Sequence, residues 1–158
     1  MKTATAPIVV QQREVPEAIR SLSTMASPDY VDVFTVVTSE AADRSPEQRA
    51  RAVIEDAGGL AGQFVWRVLL GLRLESRLSP HHVGGWKIAD RGESWIRLEA
   101  SRFLTAHIVI LVDDGEASMA TFIRYDQPIA ALVWPPLSVG HRQAMPGLLR
   151  KAARAVNG

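Results

Sequence analysis

From Trp86 to Tyr125 the chain repeats one device: a short run of alternating or β-branched residues, a tight turn, then another such run. Four strands are expected, over residues 86–90, 95–101, 103–112 and 117–125, with turns that include Asp90-Arg91-Gly92-Glu93 and Asp113-Asp114-Gly115-Glu116. Turns this short leave no room for a crossover, so neighbouring strands must run antiparallel. Within residues 95–100, Ile96, Leu98 and Ala100 alternate with Arg97 and Glu99, which buries one face and wets the other. The next strand breaks that rule. Leu104, Ala106, Ile108 and Ile110 share one face, but Val109 and Leu111 join His107 on the other.

A sheet with a buried face needs a cover, and the chain ends in one. A long helix is expected from Pro128 to about Val156, kinked at Pro135-Pro136. Leu137, Gly140, His141, Ala144, Leu148 and Ala152 fall on one side of it, and Arg142, Arg150, Lys151 and Arg154 load the other side and the C-terminal end. Ahead of the strands, residues 1–14 read as an extended or loose arm, and Pro16 opens a short helix with Val15, Ile19 and Leu22 on one side. Residues 30–38, dense in Val31, Val33, Phe34, Thr35, Val36 and Val37, read as a strand. Ser45-Pro46-Glu47-Gln48 is a capping box with proline where its missing N–H costs nothing. The helix it starts carries a narrow stripe of Ala50, Val53, Ile54 and Ala57 and stops at Gly58-Gly59. A second helix over residues 60–74 is apolar nearly all round, with Phe64, Val65, Val68, Leu69 and Leu72 on one side and Trp66 and Leu70 on another. Such a helix is buried on more than one face or covers an apolar hollow.

The chain has 158 residues, enough for one domain (residues 15–158) with a core that needs no disulfides. It has no cysteine, which excludes a thiol nucleophile, a Cys-based zinc site and an iron–sulfur cluster. Eighteen Lys and Arg against seventeen Asp and Glu give no bulk field to recruit nucleic acid. No stretch reaches the roughly 18 apolar residues of a membrane span, and Ile8-Val9-Val10 is too small for a secretory signal, so the cytoplasm is the expected location.

Catalytic patterns are sparse. His81-His82 are adjacent on an extended segment and point to opposite sides, so they cannot both clasp one metal without help from His107 or Asp113, and a solvated loop is the expected role. No Gly-x-Ser-x-Gly elbow, dinucleotide fingerprint or phosphate loop is present, and Asp113-Asp114-Gly115-Glu116 reads as a turn and not as a calcium loop. No cofactor and no metal are expected. Arg97, Glu99, His107 and Arg124 could form an acid–base cluster, but alternation puts Arg97 and Glu99 outside, as a surface salt-bridge ladder. His141 stands on an otherwise apolar stripe with Trp134, Leu137, Met145 and Leu148, as a hydrogen-bonded core residue or as a polar contact for a ligand.

One strand, two helices, a run of hairpin-linked strands and a long last helix is the order of the helix-grip fold, an α+β architecture. Tyr30-Val31-Asp32-Val33-Phe34, Ser45-Pro46-Glu47, Gly85-Trp86-Lys87-Ile88, Leu104 followed by Asp113-Asp114-Gly115, Thr121-Phe122-Ile123-Arg124-Tyr125 and Pro146-Gly147-Leu148-Leu149-Arg150 carry a closer likeness. Over roughly residues 28–156 the chain resembles the bacterial domain-of-unknown-function family 2867, of the START and polyketide-cyclase (SRPBCC) superfamily. The resemblance implies a curved antiparallel sheet wrapped around the last helix with an apolar cavity between them, and it transfers no catalytic residue. Its relatives bind lipids, sterols, polyketides or plant hormones, and some catalyse cyclisation or dehydration, among which fold alone does not choose.

The expected function is therefore binding of a small hydrophobic or amphipathic molecule, lipid-like or polyketide-like. Alternation and helical spacing select the wall: Trp86, Ile88, Ile96, Leu98, Ile108 and Ile110 from the sheet, Leu137, His141, Ala144 and Leu148 from the long helix, and Trp66 as lid or side wall. A cyclase or dehydratase using His141 or His107, and an interaction module with a filled core, are the alternatives. Val109 and Leu111 would leave an apolar strip on the outer face, which suggests a homodimer there, with cover by the chain's own arm as the other solution.

Overall fold

The computed structural model describes residues 8–37, 45–74, 80–113 and 115–156, without the side chains of residues 60, 61, 68, 69 and 154–156. Residues 1–7 of the expected arm, Thr38 of the expected first strand and Asp114 of the expected turn lie outside the described residues. The described chain is α+β: β1 (Ile8–Gln12), α1 (Glu17–Arg20), β2 (Tyr30–Val37), α2 (Pro46–Arg51), α3 (Gly59–Phe64), β3 (His82–Val83), β4 (Trp86–Arg91), β5 (Trp95–Ser101), β6 (Leu104–Asp113), β7 (Glu116–Tyr125) and α4 (Ala130–Val156). Each of α2 and α3 continues into a π-helical stretch, Ala52–Ala57 and Val65–Leu69, marked by Gly58 N–H on Val53 C=O and Leu70 N–H on Val65 C=O.

All strand pairs are antiparallel, in one sheet of order β1-β2-β7-β6-β5-β4-β3. Short connections place β3 to β7 side by side in sequence order. The long excursion through α2 and α3 separates β2 from β3, and β2 closes instead on β7, with Asp32 opposite Thr121. The expected loose arm is corrected in part: Ile8–Gln12 is the edge strand, paired from Ile8↔Val37 to Gln12↔Val33. Three consecutive β-branched residues suit a pleated strand, and the unpaired edge of β2 offers the backbone partners.

The sheet has two apolar faces. On the inner one, Phe34, Ile96, Leu98, Leu104, Ile108 and Ile123 form the main core with Ala50, Val53 and Ile54 from the α2 region and Trp134, Met145, Leu149 and Ala153 from α4. On the outer one, Val33, Val109, Ala120 and Phe122 pack against Ile19 and Met25, with Val15, Leu22, Val31 and Leu111 at the margin. Val109 is therefore fully buried by the chain's own residues 15–25. This removes the premise of the expected homodimer: the apolar strip of Val109 and Leu111 already has its cover, at about 1.5–3 kcal/mol for each large apolar side chain taken from water.

Two glycines set the inner geometry. Gly84 and Gly85, both at positive φ (57° and 92°), make the two-residue turn that folds β3 onto β4. Its backbone is held by the helices, with Gln63 Nε2 donating to Gly84 C=O (2.6 Å) and Gly84 N–H donating to Glu55 Oε1 (3.2 Å). The long last helix forms as expected, beginning at Ala130 after a turn at Pro128, and Pro135, Pro136 and Pro146 lie within it. Phe64 departs from its expected place on a buried side and is 56% exposed, because the turn changes to π geometry at Val65 and the helical spacing no longer holds.

Candidate functional site

A cavity of about 380 Å³ lies between the inner face of β6 and β7, the two π-helical stretches and α4. Ala106, Ile108, Met119, Thr121 and Ile123 line it from the sheet, Val53, Ile54, Ala57, Val65 and Trp66 from the helices ahead of it, and Trp134, Leu137, His141, Ala144, Met145 and Leu148 from α4. The volume falls within the range of small-molecule sites, roughly 300–1,000 Å³. Gly140 and Ala144 are both exposed and stand at the mouth; a Cβ on Gly140 would meet nothing within 4 Å. The π-helical stretches, a geometry found mostly as short segments and often beside functional sites, both face this space.

Of the wall expected from the sequence, Trp66, Trp86, Ile108, Leu137, His141, Ala144 and Leu148 line the cavity. Trp66 packs edge-on against Trp86, ring centres 5.7 Å apart, with its indole over Gly62, where a Cβ would come within 3.0 Å of the ring. The other four are corrected. Ile96 and Leu98 are fully buried core residues, because α2 lies across β5 and fills that part of the sheet's concavity. Ile88 sits at the margin of the same core, and Ile110 borders a separate hollow of about 30 Å³. Alternation identifies the face of a strand correctly but says nothing of which helix covers which stretch of it.

The polar end of the cavity is formed by Thr121 of β7 and by Trp134 and His141 of α4, with Asp32 and Tyr30 of β2 behind His141. Asp32 and Thr121 are opposite each other on neighbouring strands, and both are buried. His141 Nε2 stands 3.0 Å from Asp32 Oδ2, off the line of a straight hydrogen bond. The Tyr30 hydroxyl donates to the same oxygen at 2.6 Å. Burial first, then Asp32, pushes the Tyr30 pKa well up, so the hydroxyl keeps the proton that it donates. Arg142 Nη1 donates to Tyr30 Oη (3.3 Å) and Ser138 Oγ (3.2 Å) and lies over the Tyr30 ring. Trp134 packs against both Tyr30 and His141. Asp32 Oδ1, Thr121 Oγ1, Trp134 Nε1 and His141 Nε2 are buried with no hydrogen-bond partner.

Sequence reasoning found His141 and missed Asp32, Thr121 and Tyr30. A signal was there: Asp32 shares its strand parity with Phe34 and Val36, so a carboxylate interrupts the apolar face of β2.

The second polar cluster lies on the outer face. Arg97 Nε donates to Glu99 Oε1 (3.2 Å), His107 Nε2 is 3.2 Å from that oxygen, and His107 Nδ1 meets Ser23 Oγ at 3.1 Å. Arg97 Nη1 also donates to Leu22 C=O at 2.8 Å. The expected ladder thus exists for three of its four members, roofed by residues 22–25, and it fastens them to the sheet. Arg124 stands apart with Asp126 (2.8 Å) and Thr105 (3.2 Å). Burial holds the His107 pKa below its usual value, against the pull of Glu99 and with the help of Arg97 and Arg124. Among the described residues no group of three His, Asp or Glu is placed to hold a metal ion, and no helix is long and apolar enough to cross a membrane.

Fold and site together define an α+β protein whose seven-stranded antiparallel sheet and last helix, among the described residues, flank a largely apolar cavity with one polar end. Comparison with protein-family models, with curated proteins and with solved structures finds no match to this chain.

Proposed function

We propose that this chain binds a small hydrophobic or amphipathic molecule in the cavity between sheet and α4, as a helix-grip protein of the START and polyketide-cyclase type acting in the cytoplasm. The observation that carries this reading is the cavity itself: about 380 Å³, walled almost wholly by apolar side chains, with His141 at one end and a mouth lined by Gly140 and Ala144. Burying apolar ligand surface there supplies roughly 25 cal/mol per Å². His141 then selects for a polar group at one end of the molecule. The neutral dye N-phenyl-naphthylamine, which brightens in apolar surroundings, should bind saturably at one molecule per chain. Native mass spectrometry of protein purified gently from its own host should show a bound small molecule. If the dye fails to saturate and no added mass is found, the filled-core alternative replaces this reading.

A second reading has one observation in its favour. Asp32 lies behind His141, which lines the cavity end, an acid–imidazole pair of the kind that a cyclase or dehydratase acting on a polyketide-like substrate would use for proton transfer. Turnover of a polyketide-like substrate that is lost in His141→Leu separates this from binding alone.

A further inference from the structure

Four buried polar atoms without hydrogen-bond partners are grouped here: Thr121 Oγ1, Trp134 Nε1 and His141 Nε2 on residues that line one end of the cavity, and Asp32 Oδ1 behind His141. Elsewhere the lining is apolar but for the indoles of Trp66 and Trp86, so the polar groups are concentrated at this end. Buried polar groups left unpaired cost stability, and such groups in a folded protein are commonly completed by a water or a ligand.

We infer that the subsite around Asp32, Thr121, Trp134 and His141 takes a neutral hydroxyl group, alcoholic or phenolic, at the end of an otherwise apolar ligand. This rests on the cavity being the ligand site. The chemistry follows from what each atom offers. Asp32 faces His141 Nε2, and a carboxylate there favours the proton on Nε2, which leaves Nδ1 as the acceptor of the ring. The indole N–H of Trp134 can only donate, and the Thr121 hydroxyl does either. A hydroxyl is the smallest ligand group that satisfies both kinds, donating its proton to His141 Nδ1 while accepting from Trp134 or Thr121. A carboxylate would bring a second acidic group close to the buried Asp32, and an ether would leave the His141 acceptor unanswered. Asp32 acts here as a positioning residue, itself held by the Tyr30 hydroxyl and, through Tyr30, by Arg142.

The test is displacement of bound N-phenyl-naphthylamine by four probes of one shape: para-butylphenol, its methyl ether, para-butylbenzoate and para-butylbenzylamine. The phenol should displace the dye at about a tenfold lower concentration than the ether, because the ether leaves buried groups unpaired. In Thr121→Val and in Asp32→Asn the ratio of phenol to ether should fall towards one. Nitrogen NMR of the His141 ring reports what a merely structural Asp32 would not move: the Nε2–H tautomer in the parent, with Nδ1 shifting on addition of phenol but not of ether. Equal affinity of phenol and ether in the parent, with the dye still bound, overturns the hydroxyl subsite and leaves the cavity reading standing. Tighter binding of the benzoate or the benzylamine overturns it in favour of an ionic head group. Failure of the dye to bind removes the cavity reading, and this inference with it.

Discussion

Ala144→Phe is the sharpest probe of whether the cavity is usable space. Ala144 lines the cavity and is exposed at its mouth, so a ring placed there can fold inward over Leu148 and Trp66 or stay in water. A benzene ring fills an apolar cavity of about 150 Å³, so a Phe ring folded into the 380 Å³ hollow leaves roughly 230 Å³. Burying a Phe side chain is worth about 1.5–3 kcal/mol, and its poorer helix propensity returns about 0.5 kcal/mol. The net gain of about 1–2.5 kcal/mol should raise Tm by roughly 2–10 °C for a chain of this size. Binding of the three-ring dye should weaken at least about tenfold, or 1.4 kcal/mol, while a single-ring ligand still enters. Thermal unfolding followed by circular dichroism, beside a dye titration, gives both numbers. A slight fall in Tm with unchanged dye binding would mean that the ring stays in solvent and that the dye sits elsewhere. A fall of the size that overpacking brings, about 1–3 kcal/mol, would mean that the space is already filled. Either result refutes the reasoning.

Ile19→Ala, at a buried position in the outer cluster, should cost up to about 2–5 kcal/mol, read as a lowered urea midpoint and faster amide exchange over residues 15–25; unchanged exchange there would show that the segment is not held by that contact. Gly84→Ala should destabilise by more than about 1 kcal/mol, since the backbone is at φ +57° and the new Cβ would meet Ile54 Cγ2 at 2.6 Å. Gly115→Ala, at φ +72° with open space around it, should cost less, and equal midpoints for the two variants would discount the Ile54 contact. His107 folds with its pKa lowered, so the unfolded chain binds protons more readily. The stability it contributes is present above the unfolded pKa of about 6.5 and is lost as pH falls below that value. His107→Gln should flatten that decline in urea titrations between about pH 7 and 5, and an unaltered slope would assign it to another group.

What could be read from the sequence was whatever depends on neighbours along the chain. The capping box at Ser45 forms with both of its hydrogen bonds, because a helix start is decided within four residues. The hairpins from Trp86 to Tyr125 and the buried parity of Ile96, Leu98 and Ile108 follow from local turn chemistry and the two-residue period of a strand. His141 stood out as a polar residue on an apolar helical stripe. Tertiary structure decided the rest, because it depends on residues far apart in sequence. Val109 looked uncovered until Ile19 and Met25, some ninety positions earlier, packed onto it. Ile96 and Leu98 face the same way as Ile108, but α2 covers them and leaves Ile108 beside the cavity. The pairing of Asp32 with His141, 109 positions apart, arises only when β2 docks on β7 beneath α4; each interrupts the apolar period of its own element, but neither period says what the other end of the contact is. A period reports which side of an element is dry; only the packing of elements determines what lies on that side, another side chain or an open space.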